Sequence, residues 1–144
     1  FEASVIAHDP FASQVPDGVK LVPLDQLLAS ADIITLHLPY SADSHHLLDA
    51  KAFAAMKPEA IVINAARGGL VDEDALADAL KSGTVSAAAL DVFEQEPYQG
   101  PLLEFGRITL TSHVGSLARE SRQRMEIEAA DNLLQGLIQT GVIS

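Results

Sequence analysis

Cysteine is absent from this chain, which removes disulfides, thiolate metal sites and cysteine nucleophiles from consideration. A cysteine-free chain also fits the cytoplasm, where no disulfide framework is needed. Basic residues are scarce: 9 Lys and Arg stand against 20 Asp and Glu, a net charge of −11. Nucleic acids and anionic membranes need a basic face, so neither is expected as a partner. The surplus acid is expected to serve solubility. No apolar run approaches the roughly 20 residues needed to span a bilayer. The opening Phe1-Glu2-Ala3 has neither the basic start of a signal peptide nor an initiator Met, so Phe1 is not expected to be the natural start. Internal repeats and low-complexity tracts are lacking too.

What is present is a chain of 144 residues, 48% hydrophobic, enough for one domain with a real core. Short β-rich runs alternate with helical patterns, which predicts a parallel sheet with helices on its faces. Strands are expected at Ser4–His8, Val19–Val22, Ile33–Leu38, Ala60–Asn64, Val85–Val92 and Ile108–Thr111, with Ile33–Leu38 and Ala60–Asn64 read as buried. Helices are expected at Leu24–Ser30, from an Asp49 cap to Met56, and from an Asp72 cap to Ser82, with Gly83 as the stop. The residues from Ser116 to Thr140 read as one long helix, with Met125, Ala129, Leu133 and Leu137 along one stripe. The β/α alternation ends near Gly115, which places a domain boundary between residues 1–115 and 116–144.

The chemistry-bearing residues gather at strand ends. Asp9 closes the first strand, where a carboxylate can accept hydrogen bonds from both hydroxyls of an adenosine ribose and repel a 2′-phosphate. A strand-terminal Asp9-Pro10 is also an ordinary turn. The companion of such an Asp, a G-x-G-x-x-G turn roughly 20 residues earlier, has no counterpart among the residues before Asp9. Arg67, in Asn64-Ala65-Ala66-Arg67-Gly68-Gly69, follows a strand where open α/β sheets bind ligands. Its planar fork suits a carboxylate and a neighbouring keto oxygen, and the small residues beside it allow close approach. A surface salt bridge is the plainer use of such an Arg. Asp91 and Glu96 follow the next strand in Asp91-Val92-Phe93-Glu94-Gln95-Glu96-Pro97; they suit a carboxamide contact and a partner for a base, or serve as ordinary loop acids. His113, before Val114-Gly115, can act as a general acid–base near neutral pH, and a carboxylate such as Glu96 would orient its ring. His37 reads as a packed strand residue. His45 and His46 are adjacent and lack a clear third ligand, so no metal site is expected.

In this order the motifs resemble the D-isomer-specific 2-hydroxyacid dehydrogenases, a family that includes D-3-phosphoglycerate dehydrogenases. The resemblance rests on His37-Leu38-Pro39, Asn64–Gly69, Ala88–Pro97 and His113-Val114-Gly115, and it covers nearly the whole chain. It implies a Rossmann-type, doubly wound parallel α/β fold that lacks its first β–α unit, followed by a long C-terminal helix. It implies NAD as cofactor and a small 2-hydroxy or 2-keto acid as substrate. By the same resemblance, Arg67, Glu96 and His113 are catalytic, with His113 moving the proton and Glu96 as its partner. Asp9, Leu38, Ala65, Ala66, Arg67, Asp91, His113 and Gly115 would contact the cofactor. Ser112 stands where a Pro commonly precedes the His, and Leu38 where some members carry a Thr. A homodimer is expected.

That fold normally places its first strand between the second and the fourth. Strands Ser4–His8 and Ile33–Leu38 should therefore each show an unpaired inner edge, and these residues are expected to belong to a longer polypeptide. Without the glycine-rich turn, this stretch alone is expected to be inactive. The alternative from another class is a non-enzymatic, NAD-sensing binding protein of the co-repressor kind, which shares the Arg, Glu and His.

Overall fold

The computed structural model describes residues 3–115 and 117–143, and it divides into two compact units, Phe1–Ser112 and His113–Ser144. The first unit is a Rossmann-type parallel α/β assembly. In chain order its elements are β1 (Val5–Ala7), β2 (Val19–Leu21), α1 (Leu24–Ser30), β3 (Ile33–Leu36), α2 (Ala50–Ala55), β4 (Ala60–Asn64), α3 (Glu73–Ser82), β5 (Val85–Leu90) and β6 (Ile108–Leu110). Every strand pairing is parallel. β1 pairs with β2, and a separate four-stranded sheet runs β3-β4-β5-β6.

The helix ends follow from local chemistry. Asp49 accepts a hydrogen bond from the Ala52 amide at 2.8 Å, and Asp72 from the Ala75 amide at 2.9 Å. Each satisfies a first-turn donor that the helix itself cannot. Glu73 and Asp74 add negative charge to the first turn of α3 and Lys81 positive charge to its last, in the sense that the helix dipole favours. Gly83 ends α3 at φ 83°, a left-handed conformation natural to glycine.

The core lies under the four-stranded sheet. Val62, Leu70, Leu76, Leu80, Val85 and Leu102 are completely buried, joined by Phe53 from α2. Each such side chain contributes about 1.5–3 kcal/mol of burial. β5 (Val-Ser-Ala-Ala-Ala-Leu) carries small residues, and α3 packs against it.

Most expected strands end one or two residues early, at Ala7, Leu21, Leu36, Leu90 and Leu110, because the chain leaves the ladder once its neighbour does. The reading of Ile33–Leu38 as buried needs correction. Only Ile34 and Leu36 are buried, while Ile33 is 57% exposed. Among the described residues β3 has a neighbour on one side only, and so does β1. His37 lies beyond the strand, exposed, and shares a 2.9 Å hydrogen bond with Thr35 Oγ1; it is not a packed strand residue.

The second unit is dominated by α4 (Arg119–Gln139), which buries none of its residues. The expected helix start at Ser116 lies outside the described residues. The stripe of Met125, Ala129, Leu133 and Leu137 is present on the helix, but Met125 and Leu133 are 57% and 65% exposed. No described helix is long and apolar enough to cross a membrane.

Candidate active site

Parallel strands put all their carboxyl ends on one edge, and the register here aligns four of them: Leu36 lies opposite Asn64, Asn64 opposite Leu90, and Leu90 opposite Leu110. The segments that follow leave the sheet side by side. They carry Leu38, the Ala65–Arg67 loop, Asp91 and Thr111. Ligands of open α/β sheets bind at this edge.

Asn64 shapes the Arg67 loop. It is 1% exposed at the end of β4, and its side chain clasps the turn from both sides. Its Nδ2 donates to the Arg67 carbonyl at 2.9 Å, and its Oδ1 accepts from the Ala66 amide at 3.0 Å. The Asn64 carbonyl also accepts from the Asp91 amide at 2.9 Å, which ties the ends of β4 and β5 together. Arg67 stands exposed on this clasped turn. Its guanidinium donates to the Ala66 carbonyl at 2.6 Å and pairs with no carboxylate among the described residues. The surface salt bridge weighed for Arg67 is therefore not what holds it.

The Asp91–Pro97 loop is packed directly against this turn. A Cβ on Gly68 would come within 1.9 Å of the Phe93 carbonyl carbon, so only glycine allows this approach. A Cβ on Gly69 would come within 2.6 Å of the Tyr40 ring, a less severe approach and to a side chain. Phe93 stacks on Tyr98 with ring centroids 4.5 Å apart, and Tyr98 Oη accepts from the Leu102 amide at 3.1 Å. Burial pushes the Tyr98 hydroxyl above its ordinary pKa. Asp91 Oδ1 accepts from Thr111 Oγ1 at 2.5 Å, and Glu96 Oε1 accepts from the Phe93 amide at 3.2 Å. Glu96 is exposed.

Asp9 follows β1 and uses one carboxylate oxygen for the turn: Oδ1 accepts from the amides of Phe11 and Ala12 at 2.8 and 3.2 Å. Its Oδ2 makes no hydrogen bond among the described residues. The turn role and a ribose contact are thus compatible, one oxygen for each. His113 is the first residue of the second unit, exposed, with φ 55°. Gly115 follows it in the same unit.

His45 and His46 gather a third group that sequence reasoning did not find. Ligand atoms of His45, His46 and Glu94 lie within 4.8 Å of one another. The two imidazoles are stacked, however, with centroids 3.8 Å apart and planes 25° from parallel. Their in-plane lone pairs run side by side rather than converging, which is poor geometry for one ion. Asn64 and His46 are the residues whose structural roles the sequence did not reveal. A polar residue closing a buried strand is the only signal that points to the first, and nothing local points to the second.

The residues present are compatible with one end of a dinucleotide. Asp9 offers a carboxylate oxygen for a ribose diol, and small Ala65 and Ala66 leave room beside the sheet edge. The middle of the cofactor, its pyrophosphate, needs amides presented by a glycine-rich turn, and the 144 residues contain no G-x-G-x-x-G.

Relatives carry similar sequence over most of this length. A D-3-phosphoglycerate dehydrogenase of Mycobacterium leprae is 45% identical over 137 residues, 92% of this chain and 26% of the relative. A glyoxylate/hydroxypyruvate reductase B of Shigella boydii is 48% identical over 122 residues, 83% of this chain and 38% of the relative. Among solved structures, a glyoxylate reductase from Paecilomyes thermophila superimposes with a TM-score of 0.87 at 38% identity, covering 96% of this chain and 43% of that one. The chain thus spans between about a quarter and two-fifths of its relatives' length. The family profile "D-isomer specific 2-hydroxyacid dehydrogenase, NAD binding domain" matches residues 1–115, and the chain belongs to that family.

Proposed function

We propose that this chain supplies the cofactor edge and the substrate-binding Arg of an NAD-dependent oxidoreductase that interconverts D-2-hydroxy acids and 2-keto acids. The observation that carries this reading is the strand register. It sets the loops of Arg67 and of Asp91 and Glu96 next to each other at the carboxyl edge of one parallel sheet. Bound NAD supplies the hydride acceptor for oxidation, and its reduced form the donor for the reverse.

In this reading Arg67 pairs with the substrate carboxylate and donates to the carbonyl or hydroxyl oxygen at C2. The Asn64 clasp fixes the backbone that carries it, and its fork is not spent on a carboxylate among the described residues. His113 takes the hydroxyl proton in oxidation and returns it in reduction, with Glu96 as its partner. Asp9 holds the adenosine ribose and Asp91 the carboxamide of the nicotinamide. Leu38, Ala65, Ala66 and Gly115 line the cofactor by close packing. The relatives named above differ in substrate, which leaves the proposal at the class of small 2-keto acids. We also propose that the domain works within a longer polypeptide supplying the glycine-rich β–α unit, with residues 116–144 as a separate helical segment.

The test is NADH titration of this chain and of the complete polypeptide, followed by a screen of 2-keto acids. The complete polypeptide should bind NADH and turn over at least one of them. Arg67→Ala should then raise KM on the order of 10- to 100-fold, the worth of a charged hydrogen-bonding pair. His113→Ala should chiefly lower kcat. NADH binding without any turnover would favour the non-enzymatic reading; no NADH binding would overturn both.

A further inference from the structure

His46 occupies an unusual place. It is one of three non-glycine residues with positive φ among the described residues, at 50°. Such backbone is uncommon outside glycine and persists only where its surroundings hold it. Here the surroundings are two loops. The His46 amide donates to the Gly69 carbonyl at 2.8 Å, beside the Arg67 turn. The next residues continue that contact: the Leu48 amide donates to the Leu70 carbonyl at 3.0 Å, and the Asp72 amide to the Leu48 carbonyl at 3.1 Å. The His46 ring faces the other loop, its Nε2 donating to Glu94 Oε1 at 2.5 Å. The ring's Nδ1 lies 3.8 Å from Asp72 Oδ2. Glu94 is gripped a second time, its amide donating to Glu73 Oε1 at 2.8 Å.

We propose that His46 is a positioning residue that couples the Arg67 loop to the Glu96 loop through its backbone bond to Gly69 and its side-chain bond to Glu94. The inference rests on the reading that Arg67 and Glu96 serve the reaction. Gly68 against Phe93 already brings the two loops into contact, and the Asp91 amide to the Asn64 carbonyl ties them where they leave the sheet; His46 adds a bond further out along both. A bond from one residue to both fixes their offset. Displacement of about 1 Å at a reacting centre can cost on the order of 100-fold in rate. The pair itself is partly exposed, with side chains 31% and 42% accessible. Such pairs contribute little to stability, so removing this one should move geometry more than folding.

The experiment uses the complete polypeptide carrying His46→Asn, Glu94→Ala or Glu94→Gln. Asn tolerates positive φ but is too short to reach Glu94, so it removes the side-chain strut alone. His46→Asn and Glu94→Ala should each lower kcat about tenfold, with NADH Kd within about twofold and the thermal midpoint nearly unchanged. Glu94→Gln still accepts the imidazole proton and should recover most of the loss. The double variant His46→Asn with Glu94→Ala should be no slower than the slower single one. Hydrogen exchange at the Glu94 amide should quicken in His46→Asn without any substrate present. Unchanged kcat in His46→Asn overturns the proposal, as does a kcat loss matched by equal losses of NADH affinity and folded protein. If the unsubstituted polypeptide turns over no 2-keto acid, the functional reading fails, and exchange decides the coupling by itself: unaltered exchange at Glu94 overturns it.

Discussion

The four-stranded sheet and the two-stranded pair at the start of the chain are built on opposite terms. β4 and β5 each have neighbours on both sides and rest on Val62, Val85, Leu76 and Leu80, none of which meets solvent. β1 has one neighbour, leaves Val5 half exposed, and is attached to no other strand among the described residues. The difference divides the cofactor edge into two. The Arg67 and Asp91 segments are positioned by packing within this chain. Asp9 follows β1, whose one neighbour among the described residues is β2.

Hydrogen exchange would break or sharpen that contrast most directly. Amides of β4 and β5 should open only with the whole core, and those of β1 and β2 by local fraying. In this chain the difference in protection should reach on the order of 1,000-fold. Equal protection in both sheets would mean that β1 is held by something other than β2, and the division would fall.

The next effect tests whether the packed half tolerates change at its loop contact. Gly68→Ala forces a Cβ into the Phe93 backbone, and backbone cannot swing aside as a side chain can. A loss of about 3 kcal/mol is expected, read as a lower urea midpoint. The comparable change on the thin half, Gly18→Ala, meets no atom within 4 Å but carries φ 86°. It should cost about 1 kcal/mol, through backbone strain alone. A reversed order would show that the ribbon, not the core edge, governs stability.

Asn64→Ala comes next. It removes a buried side chain whose two hydrogen bonds shape the Arg67 turn. Losing one such bond while its partner remains buried costs about 1–3 kcal/mol. The same variant should raise KM for a 2-keto acid in the complete polypeptide, since the backbone that carries Arg67 is no longer fixed. A stability loss with KM unchanged would confine Asn64 to the core.

Much of this architecture was legible because it is local. α1 and β4 fall where their patterns place them, and the Asp49 and Asp72 caps and the Gly83 stop depend on residues three or four apart. The strand-end residues Arg67 and Asp91 were legible for a related reason, since a strand followed by small or charged residues announces its carboxyl edge. Two things were not. The one-sidedness of β3 is a matter of neighbours: Ile33-Ile34-Thr35-Leu36 reads as buried, but among the described residues β3 pairs with β4 alone. The bond from His46 to Glu94 joins residues 48 positions apart, and no spacing in the sequence signals it. The Asn64 clasp falls between these cases: the residue is visible, but its two bonds depend on how the chain turns afterwards.

The smallest effect concerns the acid on which the Glu94 backbone rests. Burial raises the Glu73 carboxyl above its ordinary 4.5; the Glu94 amide works against this, and the charges of Glu94 and Asp74 add to the rise. A carboxyl with a raised folded-state pKa binds its proton more tightly folded than unfolded. Its contribution to stability is therefore present at low pH and is lost as pH climbs from 4.5 through the raised value. Glu73→Gln keeps an oxygen for the Glu94 amide and titrates nothing. Urea midpoints followed from below pH 4.5 to neutrality should fall less steeply in the variant, with the two curves parallel above the window. A steeper fall in the variant would mean that ionised Glu73 favours folding, with the first-turn dipole of α3 and the Glu94 amide outweighing burial. The loop of Glu96 would then rest on a charge rather than on a partly buried acid.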